Sequence, residues 1–263
     1  MTTRVDNPHV GPDIGPHIGI LLIGDELLSG KRRDKHMPAV IEMLHERGLE
    51  LSWARLVGDD GALLERTLVE TMGSADIVFS FGGIGATPDD RTRQCAARAA
   101  GRALEINTEG RAILEDKFGH DAYPNRIHMV EWPEGSRVIP NPVNRVPGFS
   151  LGDHHFVPGF PNMAWPMVGW VLDTHYADLH VAERNVEYLV EVFDTPESAL
   201  IGLMQSVMDA HPAVRIACLP AADGQRKIEF GVRGRPAPAA EAFDALVAAL
   251  NESSISTGAC TSR

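Results

Sequence analysis

Three short apolar runs, each followed by a helical pattern, constrain the fold of this chain more than any other feature. The runs end at Ile23, Val57 and Phe81, and amphipathic segments with helical periodicity separate them. This alternation predicts a largely parallel sheet with helices on both faces, that is, an α/β fold. In such sheets ligands bind beyond the carboxyl ends of the strands. We therefore expect the binding site directly after these three runs.

A glycine-rich turn follows the third run, in the sequence Gly82-Gly83-Ile84-Gly85-Ala86-Thr87-Pro88-Asp89-Asp90-Arg91-Thr92. Its glycines leave backbone N–H groups uncovered, and a helix predicted to begin within the motif directs its positive dipole end at an anion. Asp89 and Asp90 in the first helical turn would repel a bare phosphate. The motif therefore predicts a divalent cation between carboxylates and phosphates. The alternative is a simple helix start, with Thr87 as N-cap and Pro88 at the first position.

The spacing of this motif excludes two better-known glycine signatures. Pro88 stands where a dinucleotide fingerprint has its third glycine, and the motif follows the third strand instead of the first. No Gly-Lys-Ser/Thr follows it, which excludes a Walker-type loop. The motif therefore predicts a phosphate site of another kind.

Carboxylates also follow the first two strands. Asp25 and Glu26 come after the first run, and Asp59 and Asp60 come after the second. The expected topology brings these side chains to the glycine turn, which makes them candidate site residues. Asp59 and Asp60 are also good N-cap residues for the next helix, and the two roles are compatible.

The charge and cysteine content of the chain narrow its function class. A net charge of −12 over 263 residues argues against nucleic acids and membrane surfaces as partners. The three cysteines match neither a disulfide framework nor a zinc spacing. The sequence shows neither a signal-like segment nor an apolar run of membrane length. We expect a cytoplasmic protein that binds a small phosphorylated ligand.

The pattern of predicted elements indicates two folded parts. Residues 17–178 form the α/β domain, and residues 184–250 show a small β-α-β-β-α pattern with a hairpin signal at Asp223-Gly224. Residues 1–16 and 251–263 are predicted to be disordered tails, the second because it is rich in Ser and Thr.

The stretch from Tyr123 to Pro166 is predicted to be irregular and rich in proline. Its segments Pro140–Gly148 and Phe156–Pro161 form either the wall of a pocket or simple surface turns. A helix from Met163 to His175 follows. Its tryptophans, Trp165 and Trp170, are candidate interface residues of a homo-oligomer, because aromatic side chains are enriched at interface cores.

Taken in order, the motifs resemble the molybdopterin-binding (MoaB/Mog-like) domain, most closely the version at the front of the competence/damage-inducible protein A family. The likeness covers about residues 17–175. It rests on Gly24-Asp25-Glu26-Leu27-Leu28-Ser29-Gly30, Asp34, Val57-Gly58-Asp59-Asp60 and the glycine turn.

The resemblance implies a three-layer α/β sandwich that binds a phosphorylated pterin or nucleotide. It implies a functional role for Asp90 and maps the family's second acidic pair onto Asp59 and Asp60. Members of the competence branch hydrolyse the pyrophosphate of ADP-ribose or FAD-like dinucleotides with a divalent metal. We therefore expect a metal-dependent pyrophosphatase. The alternatives are a molybdopterin-binding or adenylyl-transferring protein and a non-catalytic binding protein.

These inferences give each candidate residue a role. The expected catalytic residues are Asp90, Asp59 and Glu26, and Asp90 and Glu26 are also the expected ligands of Mg²⁺, Mn²⁺ or Co²⁺. The expected ligand-binding residues are Gly24, Asp25, Gly82, Gly83, Gly85, Thr87, Asp89, Thr92, Asp34, Pro158 and Gly159.

Three positions depart from the family's pattern and bear on substrate and catalysis. His36 stands where the family has Asn, Asn144-Arg145-Val146 stands for Gly-Thr-Ala, and Met163 stands for a glutamate.

Two further expectations concern arginine and histidine pairs elsewhere in the chain. Arg91 and Arg93 are expected near the pocket, either in contact with a phosphate or, as is more common, on a solvated helix face. His154-His155 are expected in a strand and not at a metal.

Overall fold

The computed structural model describes residues 16–221 and 226–263. Within these ranges the chain forms two compact units that meet in sequence between His180 and Val181. The tail predicted at residues 1–16 lies outside the described residues, apart from its last position. The hairpin signal at Asp223-Gly224 also lies outside them.

The first unit contains eight strands and six α-helices among its described residues. Its strands are β1 (Ile18–Ile23), β2 (Trp53–Val57), β3 (Ile77–Phe81), β4 (Leu104–Ile106), β5 (Glu131–Pro133), β6 (Arg137–Ile139), β7 (Gly148–Leu151) and β8 (His154–Val157). Its helices are α1 (Asp25–Leu28), α2 (His36–Glu46), α3 (Gly61–Met72), α4 (Thr92–Ala99), α5 (Thr108–Phe118) and α6 (Pro161–His175).

Six strands form the central sheet, in the order β2-β1-β3-β8-β7-β6. The pairs β1–β2, β1–β3 and β3–β8 are parallel, whereas β7 pairs antiparallel with β8 and with β6. The carboxyl ends of β1, β2, β3 and β8 therefore lie at one edge. Strands β4 and β5 form a separate antiparallel pair.

Helices cover both faces of this sheet. On β1, Ile18, Ile20 and Leu22 face one core with α2 and α6 residues, and Leu21 and Ile23 face the other core with α3, α4 and α5 residues. Because strand side chains alternate between faces, a strand buried on both sides is apolar throughout. This arrangement is a three-layer α/β sandwich, which confirms the predicted fold class.

The proline-rich stretch from Tyr123 to Pro166 is more regular than predicted. It contains β5 to β8, and β8 pairs with β3 inside the central sheet. The sequence predicts that His154-His155 lie in a strand, but β8 is only four residues long, and nothing in its sequence indicates that it pairs with β3. Both histidines are buried. A buried polar ring needs hydrogen-bond partners, and the tertiary fold supplies them.

The helix after the glycine turn begins within one residue of the start predicted at Arg91, and the alternative start at Thr87 is wrong. Helix α4 starts at Thr92, so Asp89 and Asp90 lie in the preceding loop and not in a first helical turn. The proposed capping roles of Thr87 and Pro88 are wrong for the same reason.

The second unit is an antiparallel sheet with helices packed against it. Its strands are β9 (Val186–Phe193), β10 (Arg215–Pro220), β11 (Lys227–Gly234) and β12 (Thr257–Ser262), and its helices are α7 (Glu197–Ala210) and α8 (Pro236–Glu252). The strand order is β10-β11-β9-β12. Alternate residues such as Phe230 and Val232 of β11 pack against Leu200 of α7 and Leu246 of α8. Across the described ranges, no helix is long and apolar enough to cross a membrane.

The segment 251–263 is not a disordered tail in this structure. Helix α8 continues to Glu252, and β12 pairs antiparallel with β9. The backbones of Glu187 and Arg263 exchange hydrogen bonds of 3.0 and 2.9 Å. The Ser and Thr content of this segment wrongly indicated disorder. As an edge strand, β12 exposes most of its side chains and is held by backbone hydrogen bonds, so it needs no apolar sequence.

Deletion of residues 253–263 should destabilise the second unit. The free energy of unfolding is expected to fall on the order of 2 kcal/mol, since β9 loses its edge hydrogen bonds. Amide hydrogen exchange in β9 measures the effect, and Cys260→Ser, which changes only an exposed side chain, is the control. Unchanged protection of the β9 amides after the deletion would contradict this role.

Candidate functional site

A cleft of about 460 Å³ lies at the carboxyl ends of the parallel strands. Eleven of the residues predicted from the sequence line it: Gly24, Glu26, Asp59, Gly82, Gly83, Gly85, Thr87, Asp89, Asp90, Pro158 and Gly159. Its volume falls within the range typical of small-molecule sites. Both segments of uncertain role contribute to its wall, through Pro147 of the first and Pro158 of the second.

The glycine turn is fixed by close backbone contacts. Gly82 and Gly83 have φ angles of 106° and 67°, which L side chains rarely adopt. A Cβ at Gly82 would lie 2.5 Å from the Ile23 carbonyl oxygen, and one at Gly83 would lie 2.2 Å from Thr92 Oγ1. Thr92 is buried beneath the turn, and its hydroxyl donates to the Gly82 carbonyl at 3.0 Å. Thr92 therefore supports the turn and does not line the cleft.

Asp90 closes the loop that follows the turn. Its Oδ2 accepts hydrogen bonds from the Thr87 backbone N–H at 3.0 Å and from Thr87 Oγ1 at 2.5 Å. The Asp90 backbone N–H in turn donates to the Thr87 carbonyl. These bonds hold the Asp90 carboxylate at the cleft in a single orientation.

Arg93 is buried, contrary to the expectation of a solvated helix face. Its guanidinium donates to the Gly85 carbonyl at 2.7 Å and to the Glu131 carbonyl at 3.2 Å. The Glu131 carboxylate lies 3.8 Å away. Burial lowers the pKa of Arg93, but a guanidinium remains protonated in proteins. Arg93 thus ties the glycine loop to β5, whereas Arg91 is exposed as expected.

Asp25 and Asp59 link the loops after β1 and β2. Each backbone N–H donates to the carboxylate of the other residue, at 3.0 Å in both directions. Gly58 permits this approach, because a Cβ there would lie 2.3 Å from Asp25 Oδ1. Asp60 instead caps α3 by accepting the Leu63 N–H at 2.8 Å. Of the two aspartates after β2, Asp59 therefore lines the cleft and Asp60 caps α3.

The carboxylates at the cleft repel one another. Burial raises the pKa of Asp59, and the nearby charges of Asp25, Glu26 and Asp89 raise it further. Across residues 16–221 and 226–263, no three His, Cys, Asp or Glu side chains are grouped closely enough to hold a metal ion by themselves. Any cation at this site must therefore take part of its coordination from a ligand or from water.

Substitution Asp59→Asn should stabilise the protein at neutral pH. The raised pKa means that the native state disfavours the charged form of Asp59. Ionisation of Asp59 therefore costs no folding stability at low pH, and the cost grows as the pH rises above the pKa of an ordinary Asp. We expect the thermal midpoint to rise by about 1–2 °C at pH 7 and to be unchanged near pH 3.5. Thermal unfolding at both pH values tests this.

Asp60→Asn is the matched control for that measurement. It removes the same charge from the next residue and preserves an N-cap, so the midpoint should not change. A lower midpoint for Asp59→Asn at pH 7 would show that its hydrogen bond outweighs the repulsion.

Several cleft residues were not assigned a site role from the sequence. Arg32, Met129, Asn144, Phe160 and Met163 all line the cleft. Asn144 and Met163 carry a signal, since both depart from the family's pattern, and the Asn144 amide contacts Met163 Sδ at 2.9 Å. Met129 lies in a short 3₁₀ helix after α5, Arg126–Val130, and no feature of the sequence indicates a site role for it.

Asp34 and His36 lie beside the cleft, in a smaller cavity. The Asp34 carboxylate accepts the backbone N–H groups of His36 and Met37 at 2.8 and 3.0 Å, so it caps the start of α2. His36 is buried against Phe81, and burial lowers its pKa.

The histidine pair of β8 forms part of the core. His154 Nε2 lies 2.8 Å from Ser80 Oγ, and His155 bridges Ser150 and the Tyr176 hydroxyl. Burial lowers the pKa of each ring to about 3. Both rings are therefore neutral hydrogen-bonding groups in a strand, as predicted.

The sequence matches, over residues 19–176, the family described as a probable molybdopterin binding domain. Because this match spans more than half of the chain, the protein belongs to that family. The resemblance inferred from the four motifs is thereby confirmed.

Curated relatives match most of the length of this chain at about one third identity. A CinA-like protein from Anaeromyxobacter sp. (strain Fw109-5) is 34% identical over 251 residues, which cover 89% of this chain and 58% of the relative. A CinA-like protein from Citrifermentans bemidjiense is 35% identical over 208 residues, which cover 76% of this chain and 50% of the relative. The chain thus spans about half the length of these curated relatives.

The fold also has a solved counterpart. The crystal structure of the protein CinA from Thermoplasma acidophilum is 26% identical and superposes with a TM-score of 0.55, over 63% of this chain and 98% of that one.

Proposed function

We propose that the cleft binds a phosphorylated pterin or an adenine dinucleotide, and that the protein hydrolyses the pyrophosphate of an ADP-ribose or FAD type of dinucleotide with a divalent cation. The observation that carries the proposal is the position of Asp90, Asp59 and Glu26 around one cleft with the glycine loop. Backbone N–H groups suit phosphates, and carboxylates suit a cation shared with them.

The carboxylates of the cleft fit a divalent cation that arrives with the ligand. Mg²⁺ is usually held by one or two carboxylates together with substrate phosphates, and not by a cage of side chains. We assign Asp90 and Glu26 to it. Asp90 uses Oδ2 for Thr87, which leaves Oδ1 available. A bound cation would neutralise charge on the pyrophosphate and polarise it.

The residues of the chain would position the reactants. The backbone of Gly83 and Gly85 would receive phosphate oxygens, and Arg93 would hold that loop in place through the Gly85 carbonyl. Asp59 would orient the attacking water and accept its proton, a role that suits a carboxyl group whose pKa is raised.

The second candidate is a protein that binds its phosphorylated ligand without catalysis. Met163 favours it, because this apolar side chain lines the cleft where the family resemblance predicts a glutamate. Loss of a carboxylate removes a potential cation ligand or base while leaving the glycine loop intact.

A substrate panel decides between the two candidates. ADP-ribose, FAD and NAD are each incubated with Mg²⁺, Mn²⁺ or Co²⁺, and AMP release is measured. Release of AMP that depends on the added cation supports the pyrophosphatase. Binding of the same compounds by calorimetry without AMP release supports the binding protein, and absence of both contradicts an adenine dinucleotide as the ligand.

We also propose that the protein forms a homo-oligomer through the α6 face. Trp165 and Trp170 are only partly buried, although both pack against the core of the first unit. Sedimentation at micromolar concentration should give more than the monomer mass of 28.6 kDa. Trp170→Ala should shift the mass towards the monomer, and a monomeric wild type would contradict the proposal.

A further inference from the structure

A second, smaller cavity adjoins the ligand cleft. It measures about 290 Å³ and is bordered by the connection between α1 and α2 and by the ends of β1 and β3. Four residues border both spaces, namely Ile23, Glu26, Arg32 and Gly159. A ligand bound at the glycine loop can therefore extend into this cavity.

The smaller cavity has more cations than anions, in a chain with a net charge of −12. Arg32, Arg33 and Lys35 line it, together with two carboxylates. Glu26 lies 3.9 Å from Arg32, and Asp34 is occupied by two backbone N–H groups. Within the described part of the chain, neither Arg33 nor Lys35 forms a salt bridge.

His36 also borders this cavity, and its ring has an unpaired polar atom. The residue is only 5% exposed, and its Nε2 lies 3.2 Å from the Gly159 carbonyl, to which it must be the donor. Its Nδ1 is buried and has no hydrogen-bond partner among the described residues. An unpaired buried polar atom is costly. An anion in the adjacent cavity would favour the protonated ring, because a negative charge nearby stabilises the imidazolium.

We propose that this cavity is an anion subsite, which takes a phosphate or carboxylate group of a ligand whose other end lies at the glycine loop. The inference extends the proposed function and rests on it in one respect, that a single ligand spans both spaces. It identifies what that ligand must carry, a second anionic group separate from the one bound by the glycines.

Anion titrations of the full chain test the subsite without any need for turnover. Inorganic phosphate and succinate are added separately, at constant ionic strength, to ¹⁵N-labelled protein, and amide signals are followed by two-dimensional NMR. We expect saturable shifts of the amides of residues 32–36 and of the His36 ring Nδ1 signal. The anion that binds more tightly distinguishes a phosphate subsite from a carboxylate subsite.

Three single substitutions locate the binding energy. Arg33→Gln and Lys35→Gln should each weaken binding roughly five- to thirtyfold, since each removes a charged partner of the anion. Lys31→Gln is the matched control, because this exposed lysine belongs to the same basic segment but lines neither space. Its effect should stay within about twofold.

Two results would overturn the subsite. One is an equal loss of affinity in all three variants, which would indicate general surface charge. The other is the absence of saturable shifts at residues 32–36 with either anion. Neither result depends on AMP release, so failure of the subsite and failure of the pyrophosphatase are distinguishable.

Discussion

Substitution Asp90→Asn should lower the turnover of the proposed pyrophosphatase reaction by roughly 10²- to 10⁴-fold, the range expected when one group of an acid–base or metal site is lost. Asn keeps the shape of the side chain, and its Oδ1 can still accept the hydrogen bonds from Thr87 that Asp90 Oδ2 accepts. The loop should therefore hold, and the thermal midpoint should stay within a few degrees. Initial rates of AMP release and thermal unfolding measure the two effects.

Asp121→Asn provides the control for this experiment. Asp121 is exposed and does not line the cleft, so its loss should leave turnover unchanged. Turnover at the wild-type rate in Asp90→Asn would contradict the assigned role and transfer it to Asp59 and Glu26. If the wild type shows no turnover with any metal, the binding-protein reading predicts tighter anion binding by Asp90→Asn, because a negative charge has been removed.

Substitution Gly85→Val should abolish ligand binding while the fold stays cooperative. A Cβ at this position would lie 2.4 Å from Asp90 Oδ2 and 2.9 Å from Asp90 Cγ. The carboxylate must therefore leave its hydrogen bonds with Thr87, and the added methyl groups would cover the loop N–H groups that meet a phosphate. Calorimetry with ADP-ribose measures the loss.

The control for Gly85→Val is Gly202→Val in α7. A Cβ at Gly202 has no atom within 4 Å, so the same substitution there should leave affinity unchanged. Retained affinity in Gly85→Val would show that the loop N–H groups are not part of the site. Strain at φ is not the reason for this prediction, because Gly82 and Gly83, and not Gly85, have positive φ angles.

Local patterns predicted the elements that carry strong periodicity or clear end signals. The sequence predicts helices at Gly61–Met72 and Thr108–Phe118, and both have these bounds in the structure. Asp60 and Asn107 fix where they begin, because each caps its helix by a hydrogen bond within the same segment. Such interactions are local and can be deduced from a few consecutive residues. The start of α4 at Thr92 lies one residue after the predicted start at Arg91, whereas the pairing of β8 with β3 depends on distant contacts and could not be deduced.

The candidate site shows the same division. The topology rule correctly brought Glu26, Asp59 and Asp90 to one cleft, because each follows a strand that ends at the same edge of the sheet. The rule cannot indicate which side chains turn away from the cleft. Asp34 caps α2 and Thr92 supports the turn from below, and both tasks depend on contacts made only in the folded chain.

The sequence by itself determined the layered fold, the family and the position of the glycine loop after β3, because hydrophobic periodicity and glycine spacing act over short distances along the chain. Only the tertiary structure decided that Arg93 is buried and holds the glycine loop, that β8 pairs with β3 inside the central sheet, and that β12 pairs with β9 at the edge of the second sheet. A buried arginine, a strand that begins with two histidines and a polar edge strand each depend on hydrogen bonds from distant residues. Those partners exist only once the chain has folded.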